Sequence, residues 1–221
     1  MTHQDTNPPT TEGTGMDTTQ PVTTQHKPVV TIFEAYGAGA AEVGQKVAEK
    51  LGLPFHAQAF SSAQLADEAL GNNAILVRVM SSLGGAYGGL ESRDIVASQQ
   101  DRYDLVARNN ADVRRFADEG GVIVGRNGAL ILADRPNTLH VLLTGEVEDR
   151  VKRAAGELGI SVAEAASRRA KEEDVRREMS RNLYGWDPMA PDRYDMLINT
   201  TRVGIDRAAD AIVDAVQTRL A

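Results

Sequence analysis

The stretch Lys27–Leu51, KPVVTIFEAYGAGAAEVGQKVAEKL, decides how the rest of the chain is read. Val29–Phe33 is an apolar, mostly β-branched run of strand length. Tyr36-Gly37-Ala38-Gly39 follows as a turn of small residues, and from Ala40 the apolar positions recur at helical spacing. A strand that feeds a helix through glycines leaves the first N–H groups of the helix without intrahelical partners and pointing outward, which is a cradle for phosphate. The usual side chains that complete such a cradle are missing. A Walker A loop carries a lysine where Ala40 stands and a Ser or Thr at Ala41 or Glu42. A dinucleotide fingerprint needs a third glycine at Glu42 and an acid about 20 residues on, where the chain reads Phe55–Phe60. On local sequence two readings stay open: a phosphate loop, or glycines that only permit a tight strand-to-helix turn.

Working outward, the chain alternates strand and helix signals. Leu53–His56 reads as a short strand, Ser61–Leu70 as a capped helix, Ala74–Met80 as a core helix or strand, and Gly84–Gly89 as a mobile loop. Asp94–Asp118 reads as a long polar helix that buries Ile95, Tyr103, Val106, Val113 and Phe116, with Gly120-Gly121 ending it. Val122–Val124 is a strand running into Gly125-Arg126-Asn127-Gly128, and Thr138–Leu143 is a strand apolar enough to be buried on both faces. Glu146–Leu158 is a helix carrying Arg150, Lys152 and Arg153. Ser161 caps a further, densely charged helix, with Glu164 three residues on. Tyr194–Asn199 is the last strand. Ile205–Leu220 closes the chain with Ala208, Ile212, Val216 and Leu220 on one stripe.

Alternating strands and helices predict an α/β fold: right-handed crossovers and a parallel sheet covered on both faces. Ligands of such sheets bind beyond the carboxyl ends of the strands. Three strand ends carry suggestive chemistry there, namely Gly37–Gly39, Gly125-Arg126 and Asn199-Thr200.

Composition bounds the rest. Among 221 residues 42% are hydrophobic and 25% charged, as in an ordinary globular protein, with one domain over 28–221 after a Thr/Pro-rich segment 1–27 expected to be disordered. Residues 1–27 are solvated tail or a protein-partner segment. No apolar run reads as a membrane span or signal peptide, and the absence of cysteine excludes disulfides and thiolate metal sites; both fit a cytoplasmic protein. A net charge of −7 argues against general nucleic-acid binding, which needs clustered Lys and Arg, yet permits a small anionic ligand.

Arg126, directly after a buried strand, suits bidentate contact with a phosphate; the alternative is an ion pair with a neighbouring helix. The helix Ser161–Arg181 holds Arg168, Arg169, Lys171, Arg176, Arg177 and Arg181 among acids. That pattern is a solvated face or, in a phosphotransferase, a lid. His3, His26, His56 and His140 are scattered; His140 reads as a packed core residue, and no metal site is indicated.

Four blocks together resemble the cytidylate kinase-like family of P-loop proteins: Thr31–Phe55, Gly120–Leu143, the lid helix ending in LYGWDP (Leu183–Pro188), and DRYDMLINTTRVGIDRAADAIV (Asp192–Val213). The resemblance runs from Pro28 to the C-terminus in family order. It implies a three-layer α/β/α, P-loop NTPase-like parallel sheet with a helical lid, and in-line phosphoryl transfer from ATP with Mg²⁺ to a nucleoside monophosphate. ATP would lie on Tyr36, Gly37, Ala38, Gly39, Ala40 and Ala41, with Arg126 and Arg176 as the catalytic pair, Arg126 holding the acceptor phosphate and Arg176 reaching phosphates from the lid.

The chain departs from the family in the loop. Where the family typically reads Ser-Arg-Glu-Tyr-Gly-Ser-Gly-Gly-Arg-Glu, this chain reads Phe33 through Glu42 as FEAYGAGAAE, so that Glu34 and Ala41 replace both arginines. Glu34 has the wrong sign beside a triphosphate. After the second strand, His56-Ala57-Gln58-Ala59 lacks the expected acceptor-site carboxylate. The resemblance therefore implies a kinase with a degenerate phosphate loop or a pseudokinase kept as an interaction module, and the changed pattern around Ala57 also fits a kinase for a non-nucleotide small molecule.

Overall fold

Five strands, all parallel, form one sheet in the order β2-β3-β1-β4-β5. The computed structural model describes residues 26–58 and 92–220. Within them β1 (Val29–Glu34) leads through the glycine turn to α1 (Ala40–Leu51), and β2 (Phe55–His56) is a two-residue strand. The readings of 1–25, Ser61–Leu70, Ala74–Met80 and Gly84–Gly89 lie outside the described residues. α2 (Ser92–Glu119), β3 (Gly121–Val124), the short α3 (Gly128–Ile131) and β4 (Thr138–Thr144) follow. α4 (Val147–Leu158) and α5 (Val162–Tyr184), the charged helix read as a lid, come next; β5 (Met196–Asn199), the short α6 (Thr200–Val203) and α7 (Ile205–Leu220) complete the chain.

The sheet sorts its side chains by period two. Val30, Ile32, Val122, Val124, Leu139, Val141 and Leu143 face one layer, where Val43 and Val47 of α1 pack with Ala208, Ala209 and Ile212 of α7. Val29 and Ile123 face the opposite layer, against Val113 and Ala117 of α2 and Leu132 after α3. Ile32, Ile123, Leu143 and Ile212 are each fully enclosed, a burial worth about 1.5–3 kcal/mol per side chain.

The expected burial of Tyr103 does not hold: it is 70% exposed. Ten residues before Val113 it lies about 80° round the helix from the stripe that faces the sheet. The last strand starts at Met196 rather than Tyr194, because Asp195 is used otherwise: its carboxylate accepts from the His140 backbone N–H at 2.7 Å. Ser161 caps α5 as read, its hydroxyl accepting from Glu164 N–H at 3.1 Å.

β1 is paired on both sides, with β3 and with β4. The connection after β1 runs toward β2 while the one after β4 runs toward β5. The chain thus diverges between neighbouring strands, and the crevice beyond their carboxyl ends is where ligands of such sheets lie. No helix among the described residues is long and apolar enough to cross a membrane.

Candidate functional site

The glycine turn is a built feature. Gly37 and Gly39 have φ of 72° and 87°, and a Cβ on them would run into the Arg150 carbonyl and into Ile205 Cδ1 respectively. Three successive carbonyls of the turn are pinned from neighbouring elements. Arg150 Nη1 donates to Tyr36 O at 2.6 Å, Arg153 Nη1 to Gly37 O at 3.0 Å, and Thr200 Oγ1 to Ala38 O at 2.7 Å. Arg150 is buried and ion-paired with Glu173 of the lid at 2.9 Å, while Arg153 also donates to Thr200 Oγ1 at 3.1 Å. Sequence reading placed Arg150 and Arg153 on a helix without assigning them a task; their i,i+3 spacing, which puts both on one face, was the available signal.

Glu34, at the end of β1, turns its carboxylate onto the start of α1: Oε2 accepts from the Ala40 N–H at 2.9 Å. Gly39 is the residue before the helix, so this is the helix's first N–H, at the end where the helix dipole favours negative charge. Ala38 and Ala40 are enclosed, and Ala41 is exposed. Tyr36 is buried with its hydroxyl unpartnered, near Glu172, Arg168 and Arg176 of α5, and burial first, then Glu172, raises its pKa. On α4, burial lifts the Glu157 carboxyl above its ordinary range, and the charge of Glu34 adds to that.

At the end of β3 three consecutive residues are left-handed: Gly125 (φ 70°), Arg126 (56°) and Asn127 (56°). Two adjacent non-glycine residues in that region cost on the order of 1–3 kcal/mol each and persist only where the surroundings hold them. Asn109 Nδ2 of α2 donates to Arg126 O at 2.8 Å and to Tyr184 Oη at 2.8 Å, and Trp186 Nε1 donates to Asn127 Oδ1 at 2.8 Å. Arg126 Nε donates to Ala57 O at 3.0 Å and its guanidinium lies 5.5 Å from the Phe116 ring. Burial lowers the Arg126 pKa, against the opposing charge of Asp112.

A cavity of about 230 Å³ opens on this edge, walled by Phe33, Glu34, Arg108, Asn109, Arg126 and Arg176 among others. A second, of about 120 Å³, adjoins Ala35, Thr144, Arg150 and Glu173 and shares Phe33, Glu34 and Arg176 with the first. Arg126 and Arg176 thus line one cavity, whereas Tyr36–Ala41 line neither. Arg176 Nη2 lies 3.2 Å from Glu172 Oε2. His140 is a core residue as read, buried with Nδ1 2.7 Å from Thr31 Oγ1. Among the described residues no group of three or more His, Asp or Glu is placed to hold a metal ion.

The five-stranded parallel sheet, the glycine turn on its central strand and the arginine-bearing helical lid over the same edge define a P-loop kinase-type α/β fold. Within that class the chain belongs to the cytidylate kinase-like family, whose model matches residues 29–202. A cytidylate kinase of Ignicoccus hospitalis is 28% identical over 184 residues, covering 83% of this chain and 96% of that protein. A Corynebacterium glutamicum protein named uronate isomerase is 36% identical over 110 residues; the match takes in 50% of this chain but 21% of that protein's length. A solved structure of an uncharacterized protein from Eubacterium ventriosum superposes with a TM-score of 0.57 at 22% identity, over 86% of this chain and 99% of the other, a likeness of fold.

Proposed function

We propose that the protein is a nucleotide-binding phosphotransferase of the cytidylate kinase-like family that moves the γ-phosphoryl group of ATP to a nucleoside monophosphate. The observation that carries this reading is the shared cavity: Arg126 at the end of β3 and Arg176 on the lid both line it, and it also reaches Glu34, beside the glycine turn. Arg126 takes the acceptor phosphate with its terminal N–H groups while Ala57 O holds its Nε. Arg176 approaches the transferring group from the lid, and the turn Tyr36–Ala41 takes the donor phosphates on backbone N–H groups. Catalysis in this class is positioning and charge stabilisation, so these contacts are the mechanism.

Magnesium belongs to the donor rather than to the protein in this reading. Ala40 and Ala41 carry no hydroxyl, and among the described residues no group of three or more His, Asp or Glu is placed to hold the ion, so the nucleotide's phosphates would supply most of its ligands. Incubation with Mg-ATP and a panel of nucleoside monophosphates, with ADP formation followed, tests the proposal. Transfer to one monophosphate, lost in Arg126→Ala, supports it; no transfer to any member overturns it. A second reading, a catalytically silent interaction module, draws on the seating of Glu34 against Ala40, and absence of transfer across the whole panel favours it.

A further inference from the structure

The first N–H of α1 carries a carboxylate from the chain itself. Glu34 Oε2 accepts from Ala40 N at 2.9 Å, a charge-assisted bond at the positive end of a 12-residue helix. The turn that would have to rearrange to change this is fixed by donors to the Tyr36, Gly37 and Ala38 carbonyls, by Gly37, where a Cβ would meet the Arg150 carbonyl, and by the left-handed φ of Gly37 and Gly39. The lid's cations are matched in the same self-contained way: Arg150 and Arg169 to Glu173, Arg168 to Glu164, Arg181 to Asp187.

We infer that Glu34 is the resident anion of the phosphate seat, holding the position on Ala40 N–H that a donor phosphate takes and setting the affinity of the loop for polyphosphate. The inference rests on reading Gly37–Ala41 as a phosphate loop. A polyphosphate that binds has to displace the carboxylate, losing its bond to Ala40, and then to tolerate its charge nearby. Like charges a few ångströms apart in a partly dry site are costly, so the residue selects against highly charged ligands. The two cavities whose walls Glu34 shares with Arg176 give the displaced side chain space to turn into. The loop is therefore not an empty remnant. It is a working anion site with an internal competitor.

The test is a calorimetric titration of the full chain with inorganic tripolyphosphate, comparing the parent with Glu34→Gln and Glu34→Ala. Glu34→Ala is expected to bind at least about tenfold more tightly, the factor that the net worth of one charge-assisted hydrogen bond implies. Glu34→Gln falls between, because its amide oxygen still accepts from Ala40 without the charge, and it decides the matter should Glu34→Ala not fold. In the parent, the Ala40 amide resonance moves over the same tripolyphosphate concentrations that produce heat. Equal or weaker binding in the variants overturns the inference. So does absence of binding in all three proteins, or binding that leaves the Ala40 amide unmoved. Phosphoryl transfer is not read in this experiment. Tighter binding in the variants without transfer to any monophosphate keeps the inference and removes the kinase reading, while transfer by the parent with affinity unchanged in the variants does the reverse.

Discussion

Arg126 holds an unusual backbone conformation, φ 56° between Gly125 and Asn127, with its Nε committed to Ala57. A lysine lacks the second donor edge that lets one side chain hold Ala57 and grip a phosphate together. Arg126→Lys is therefore expected to weaken nucleoside monophosphate binding nearly as much as Arg126→Ala, by about ten- to a hundredfold, the range of a charged hydrogen bond; titration calorimetry reads it. His140 makes a prediction of the opposite kind, about stability. Burial lowers its pKa, against the pull of Asp195, so the unfolded chain binds a proton more readily than the folded one. Its contribution is present above the ordinary value near 6.5 and is lost as pH falls below that toward the folded value. His140→Gln should flatten the decline of Tm between pH 7.5 and 5.5 in scanning calorimetry, whatever it does to Tm itself. His140 was legible as a core residue from its apolar strand. The role of Glu34 was legible only as a sign: sequence shows a misplaced charge, and only the turn's geometry shows that the charge lands on Ala40 N–H.

The elements around Arg126 act as a clasp. Asn109 on α2 and Trp186 just beyond α5 hold the left-handed loop from two sides, with Tyr184 joined to Asn109 and to Asn110. Trp186→Phe keeps an aromatic side chain, smaller than the indole, and removes the N–H donor, which frees Asn127 to leave its conformation. Monophosphate affinity should fall by about fivefold, the worth of one neutral hydrogen bond, and Asn109→Ala should cost more because it releases both Arg126 O and Tyr184. Trp186 is the single tryptophan, so its emission reports the loop directly. A monophosphate is expected to shift it in the parent and not in Arg126→Ala. This scale shows where sequence reading stops. The 3.6-residue period found Val113 and Phe116 on α2 and the spacing found α4 and α5, since burial of one face is written locally. Tyr103 is exposed because its angle on α2 sets it off the stripe, and the apolar character of an aromatic residue does not encode that angle. The clasp joins residues 59 and 75 positions apart, and no local pattern encodes such a pair.

At the scale of the whole molecule, alternation of strand and helix was enough to predict a parallel sheet, but not its order, because β1 pairs with β3 and β4 and not with β2, the next described strand in sequence. What sets the position of the glycine turn over that sheet is how closely α1 lies on it. Gly44 decides this distance: a Cβ there would stand 2.8 Å from Phe55 Cε2 and 3.2 Å from Val124 Cγ2, inside the contact of α1 with β2 and β3. Glycine in a helix interior is ordinarily a loss of about 0.5–1 kcal/mol relative to alanine, so Gly→Ala in an exposed helix stabilises. Gly156, on α4 with nothing within 4 Å of its Cβ position, is such a case, and Gly156→Ala should raise Tm by a few degrees. Gly44→Ala gains the same backbone term and then has to push α1 away from the sheet, an overpacking cost of about 1–3 kcal/mol that outweighs it. Its Tm should fall by about 2–8 °C at this chain length. The displacement is carried along α1 to its first turn, so tripolyphosphate binding should weaken in Gly44→Ala and stay unchanged in Gly156→Ala. A Gly44→Ala protein with raised Tm and unchanged affinity would mean that the close approach of helix to sheet does not place the turn.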